Sequence, residues 1–237
     1  MVMYRVVDTA WRVRGRAAER AGTIRVMKVV VFGATGRTGR LLVEGALERG
    51  HDVTALVRAP DKLGALRERV RVVQGDVLDG GVVSDAVDGA EAAVVTLADT
   101  PDPRGPAEVA AGGTLNVVRS MQRYSVRRLV VLSSASVAPP GEPGHPGLFA
   151  RLFDPGARSG AVADLRRMEI SVRQSELDWT LVRAAQLADG PARGACRAEP
   201  GYSLPGGTKI ARADVAAFMI DELERRGNIG HALAIAY

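Results

Sequence analysis

Three glycines at a spacing of three, Gly33, Gly36 and Gly39, with Arg37 among them, are the residues of this chain best suited to hold a phosphate. Gly33 can take the backbone angles of a tight turn. Gly36 has no Cβ to keep a pyrophosphate off the backbone, and Gly39 lets a following helix pack closely on the preceding strand. The N–H groups of such a turn, at the positive end of a helix dipole, receive an anion. Further on, Ser133 and Ser134 set two hydroxyls at the end of an apolar run, and Arg58 and Lys62 set two cations beyond another. A glycine pattern this short also occurs in turns that bind nothing, so its weight rests on the surrounding elements.

Those elements are legible. Lys28 to Phe32 is a β-branched apolar run with the profile of a strand buried on both faces, and Leu41, Leu42, Ala46 and Leu47 recur at helical spacing up to Gly50. Further strands are predicted over 51–58, 70–73, 92–97, 129–132 and 179–183, and helices over 82–87, 107–123, 161–175 and 211–225. Residues 232–236 form a last apolar stretch that can be a strand. The alternation predicts an α/β fold: a Rossmann-like, doubly wound parallel sheet in a single domain over residues 27–237. Residues 1–26 are a basic extension, expected to be a frayed or partly helical tail.

The second strand decides which dinucleotide is expected. An acid at its end accepts from a ribose 2′-hydroxyl and favours NAD, whereas an arginine pairs with a 2′-phosphate and favours NADP. Here the strand ends in Arg58, with Lys62 behind it and Arg37 in the glycine turn. Its acid, Asp52, stands at the wrong end. NADP(H) is therefore the expected cofactor, unless Arg58 is only a solvated surface residue. Asp76, past the third strand, can accept from an adenine amino group or cap the helix at 82–87. The exit of the fourth strand, Ala98 to Pro101, should run past the diphosphate and ribose, and Ser133 to Ser136 lie beside the expected nicotinamide. Residues 138–160 are rich in Pro and Gly. They read as a loop on the ligand side, where Leu148, Phe149, Leu152 and Phe153 cover a flat substrate or pack on the core. His145, in that loop, is a candidate proton donor or a merely exposed residue.

The segments GATGRTGRLL, DVTALVR, VVQGDVLD, RRLVVLSSASV, LDWTLVRAAQLADG and KIARADVAAFMIDELE, in this order and spacing, resemble the atypical short-chain dehydrogenase/reductases. The resemblance is to the NAD(P)H-binding group that includes biliverdin IXβ reductase/flavin reductase and NmrA-like proteins. It implies that Gly33, Thr35, Gly36, Arg37, Thr38 and Gly39 line the phosphates and ribose. It also implies that Arg58 meets the 2′-phosphate, Asp76 and Val77 the adenine, and Thr96, Leu97 and Ala98 the diphosphate-side ribose. Ser133 and Ser134 would lie beside the nicotinamide, with Ser134 matching an active-site serine of flavin-reductase-like members. The chain departs from the family pattern at Ala184, where proline is frequent, and at Ala98, where glycine is common.

Composition bounds the chemistry. The chain has 237 residues, 46% hydrophobic and 25% charged, which suits one globular domain. Its net charge of +5 owes most to Arg5, Arg12, Arg14, Arg16, Arg20 and Arg25, and no basic and aromatic cluster follows, so nucleic acid is not an expected partner. No run of 18 apolar residues exists, so no membrane span is expected. The one cysteine, Cys196, excludes an intramolecular disulfide and a multi-cysteine zinc site; no metal is expected, and a cytoplasmic setting fits. None of Tyr4, Tyr124, Tyr202 and Tyr237 has a lysine four residues later, so the Tyr-x-x-x-Lys base of ordinary short-chain dehydrogenases is missing. Glu169 reads as a surface or helix-pairing residue, and Ser134 either orients a ligand or satisfies a strand end. The expected function is hydride transfer from NADPH to a planar acceptor such as a flavin or quinone, by a monomer or weak homodimer. The alternative is a non-catalytic NADP(H)-binding regulator or scaffold of the NmrA-like kind.

Overall fold

The computed structural model describes residues 10–12, 25–98, 108–139 and 157–237. In chain order the elements are β1 (Ala10–Arg12), β2 (Lys28–Phe32), α1 (Arg37–Glu48), β3 (Asp52–Val57) and a 3₁₀ segment, Pro60–Arg69. Next come β4 (Arg71–Gln74), α2 (Gly80–Val87), β5 (Ala92–Val95), α3 (Val109–Arg123) and β6 (Arg128–Ser134). The chain ends with α4 (Ala157–Gln174), β7 (Asp178–Ala184), β8 (Gln186–Ala188), β9 (Ala195–Pro200), β10 (Lys209–Ala211), α5 (Arg212–Arg225) and β11 (His231–Ala236).

Nine strands form one sheet in the order β1-β9-β11-β7-β6-β5-β2-β3-β4, and β8 pairs with β10 in a second, parallel one. The chain winds outward from β2 through β3 to β4, then returns to β5 on the other side of β2 and continues through β6, β7 and β11. That reversal beside β2 is a topological switch point, where α/β sheets bind ligands at the carboxyl ends of their strands. Register aligns those ends: Phe32 pairs with Leu56 and Val95, and Val95 with Val131.

β2 shows why such a run makes a central strand. Val29 and Val31 enter a core with Leu42, Val43 and Ala46 of α1 and Phe218 and Met219 of α5. Val30 and Phe32 enter the opposite core with Val83 of α2, Val117 and Met121 of α3 and Met168 of α4. Alternating side chains thus bury both faces. Each such burial contributes about 1.5–3 kcal/mol of transfer free energy.

The doubly wound single domain expected from the sequence is the observed fold. The sequence did not foresee β9, which runs antiparallel to β11, or the pairing of β8 with β10. Three-residue strands carry no periodicity, and β9 includes Arg197, Glu199 and Pro200. Within the basic extension, Ala10–Arg12 pairs antiparallel with β9, where a frayed or partly helical tail is predicted; the rest of that extension up to residue 24 lies outside the described residues. α4 begins four residues inside the stretch read as a loop. His145, Leu148, Phe149, Leu152, Phe153 and Asp99 to Pro101 lie outside the described residues. Among the described residues no helix is long and apolar enough to cross a membrane.

Candidate dinucleotide site

The glycine turn between β2 and α1 is shaped by its neighbours. Gly33 has φ +90°, and a Cβ there would lie 2.7 Å from Thr96 Oγ1 and 2.8 Å from the Thr96 carbonyl oxygen. A Cβ on Gly39 would lie 2.1 Å from the Gly33 carbonyl oxygen. No side chain fits at either place. Gly36 differs: its N–H donates to Gly33 O at 3.0 Å, and a Cβ would meet only that oxygen, at 3.2 Å, leaving its other sides open. α1 then starts with no side-chain cap and no acid in its first turn. This open cradle below an uncapped helix start fits a dinucleotide diphosphate. Thr38 is buried, Thr35 half-buried and Arg37 exposed.

Thr96 holds the turn from the β5 side. Its N–H donates to Phe32 O at 2.9 Å, and its hydroxyl lies 3.2 Å from Phe32 O and 3.3 Å from Gly33 O. The hydroxyl expected to meet a ribose thus donates to backbone. Leu97 is half-buried against α3, with its Cδ1 3.0 Å from where a Cβ on Gly113 would stand, and Ala98 is exposed.

At the ends of β3 and β4, Gly75 N–H donates to Val57 O at 3.0 Å. Arg58 follows, exposed and with no ionic partner among the described residues. Asp76 does not cap the next helix. Its Oδ1 accepts from Leu78 N at 3.0 Å in a turn of its own, while Asp79 accepts from Gly81 N at 2.9 Å and Val82 N at 3.4 Å and caps α2. The helix starts at Gly80, two residues earlier than periodicity suggests, so its N-cap is Asp79 and Asp76 lies too far ahead to cap it. Val77 is buried against Gly113, and Asn116 Nδ2 donates to the carbonyls of Val77 and Leu78 at 3.1 and 3.0 Å. Asn116 escaped the sequence reading because a lone Asn on a helix has no pattern.

At the end of β6 the two serines part ways. Ser133 is buried and donates to Glu169 Oε1 at 2.7 Å. Glu169 also accepts from Arg183 Nε at 2.9 Å and Nη2 at 2.5 Å, and the Arg183 guanidinium stacks 3.9 Å from the Tyr202 ring centroid and donates to Gly201 O at 2.8 Å. Glu169 is therefore no surface residue: its side chain is 7% exposed and that of Arg183 3%. The available signal was Arg183 itself, a charge inside the apolar strand DWTLVRA that needs a buried counter-ion. Ser134 is half-buried; its oxygen accepts from Ser136 N at 3.2 Å and shares a 2.8 Å hydrogen bond with Ser136 Oγ. A hydroxyl has one proton and two lone pairs, so Ser134 keeps some capacity for a ligand.

One side chain of the turn is engaged elsewhere. Arg37 Nη1 lies 2.8 Å from Asp189 Oδ2, and Arg212 Nη1 lies 2.7 Å from Asp189 Oδ1.

The turn, the helix start and the switch point agree with what this chain resembles. Residues 33–226 match the family described as NAD(P)H-binding. The chain belongs to that family. It is 36% identical over 201 residues to a 3-diazoavenalumate denitrifying reductase from a Streptomyces species, covering 78% of this chain and 61% of that relative. It is 30% identical over 217 residues to the (4-alkanoyl-5-oxo-2,5-dihydrofuran-3-yl)methyl phosphate reductase of Streptomyces griseus, covering 88% of this chain and 67% of the relative. A short-chain dehydrogenase/reductase of Veillonella parvula, solved in complex with NADP, has the same fold: TM-score 0.74 at 18% identity, over 90% and 95% of the two chains. The likeness to atypical short-chain dehydrogenase/reductases read from the sequence is borne out: the chain falls in an NAD(P)H-binding family, and two of the relatives it matches are reductases.

Proposed function

We propose that the chain is an NADPH-dependent reductase that passes a hydride to a small planar acceptor of the flavin or quinone type. The observation that carries the choice of cofactor is Arg58. It is an exposed guanidinium, without an ionic partner among the described residues, at the end of β3 where an NAD site would present an acid. On this reading the N–H groups at the start of α1 take the diphosphate. Asp76, with one oxygen in its own turn, offers the other to the adenine amino group beside Val77. The cofactor, when bound, supplies the hydride. The chain's part is to orient the reacting faces and exclude water, with Ser134 directing the nicotinamide amide or an acceptor heteroatom. The proton comes from solvent, which suits a chain without a Tyr-x-x-x-Lys pair.

The test is NADPH oxidation by the purified chain on adding a panel of flavins and quinones. Turnover with NADPH in preference to NADH supports the reading, and proven NADPH binding with no turnover across the panel overturns it. Ser134→Ala should then lower kcat by a larger factor than it raises the dissociation constant for NADPH. A second reading, a non-catalytic NADP(H)-binding regulator, is favoured by one feature: the hydroxyls of both Ser133 and Ser134 already bond within the protein. It predicts binding without turnover. A cytoplasmic setting and a monomer or weak homodimer belong to the same proposal.

A further inference from the structure

The carboxylate on Arg37 comes from a part of the chain with no assigned role. Asp189 follows β8 and Arg212 follows β10; the last pair of their two-stranded sheet, Ala188 with Ala211, sets the two side by side. Arg212 is well covered, its side chain 13% exposed, and holds one oxygen of Asp189. The other oxygen reaches Arg37, whose side chain is 71% exposed. Beyond Asp189, the N–H groups of Arg193 and Gly194 donate to Asp214 at 2.8 and 2.9 Å. The segment from 189 to 194 is therefore fixed to the start of α5 at both ends. Asp189 is a counter-ion held in place by α5 and offered to the glycine turn.

We propose that Asp189 tunes the affinity of the dinucleotide site by competing with a cofactor phosphate for Arg37. The inference rests on the dinucleotide reading above. Arg37 and Asp189 meet through one nitrogen and one oxygen in solvent, a pairing that contributes little and is screened by salt. A phosphate offers greater charge and paired oxygens to the same guanidinium. The exchange therefore favours phosphate, but less than it would at a free arginine. Arg212 retains Asp189 throughout, so the 189–194 segment stays on α5. A ligand that brings no phosphate to Arg37 leaves the pair intact and is unaffected by it, so Asp189 weakens only ligands that place a phosphate on Arg37.

The test is the dissociation constants of the full chain for NADPH and NADH, at low and high salt, for wild type, Asp189→Asn, Arg37→Gln and the double variant. Asp189→Asn should tighten binding about two- to fivefold at low salt, the range of an exposed ion pair. The gain should shrink at high salt and vanish when Arg37 is already Gln. Asp189→Ser, which also removes the charge, should repeat it. Unchanged or weaker binding in both Asp189 variants, or the same gain in the Arg37→Gln background, overturns the proposal. The two readings fail differently. A wild type that prefers NADH removes the 2′-phosphate reading alone, since the Asp189–Arg37 coupling is scored on whichever dinucleotide binds. A wild type that binds neither removes both.

Discussion

Gly39 lies so close to Gly33 that a Cβ on the first would stand 2.1 Å from the carbonyl oxygen of the second. Helix α1 therefore rests directly on the turn that precedes it, and the neighbouring atom is backbone, which cannot rotate away. Gly39→Ala should destabilise the chain by about 1–3 kcal/mol, the cost of overpacking, and weaken dinucleotide binding as α1 is pushed outward. Thermal unfolding and a binding titration check both. An unchanged melting temperature would show that α1 can shift without loss.

Arg58 carries the cofactor prediction. Arg58→Glu should weaken NADPH by at least about tenfold, the worth of a hydrogen bond to a charged group, and NADH much less. Equal losses for the two dinucleotides would refute a role at the 2′-phosphate.

Glu169 and Arg183 form a buried ion pair that also occupies Ser133 and stacks under Tyr202. Removing Glu169 leaves the Arg183 guanidinium buried without its counter-ion, with only the Gly201 carbonyl and the Tyr202 ring beside it. Glu169→Ala should cost about 3–5 kcal/mol of stability, read as a lower midpoint in denaturant. The double change Glu169→Leu with Arg183→Met should recover much of it, because no charge is then left buried. A single variant as stable as wild type would mean that water reaches the pair.

Cys196 is buried on β9, and burial pushes its thiol up to about 12, with the nearby charges of Asp214 and Asp221 acting in the same direction. At pH 8 the native chain should resist alkylation that proceeds readily in denaturant. The folded state holds this proton more tightly than the unfolded one. Its contribution to stability is thus fully present below about pH 9 and is lost as pH rises toward about 12. Cys196→Ala should flatten that decline in an unfolding series across the same range.

The Rossmann-like architecture and the glycine turn could be read from residue order because their causes are local. A β-branched run such as Lys28–Phe32 shows burial on both faces, glycines at 33, 36 and 39 mark a turn without room for side chains, and apolar spacing marks the helix behind it. The same holds for Arg58, since a cation at a strand end is visible in the sequence. What each polar side chain does was not legible. The sequence left Thr96 and Ser133 as ligand hydroxyls and Ser134 as either a ligand hydroxyl or one that satisfies a strand end, and the fold gives them partners in Gly33 O, Glu169 and Ser136. Of the two roles read for Asp76, adenine acceptor or helix cap, the second belongs to Asp79. Arg37 meets Asp189 across 152 residues, and Glu169, read as a surface or helix-pairing residue, is a buried counter-ion of Arg183 that also lies 3.8 Å from Arg173 one turn along its helix. Periodicity records which face of an element is buried. A hydrogen bond or ion pair depends on which elements the topology brings together, and only the assembled sheet and helices settle that.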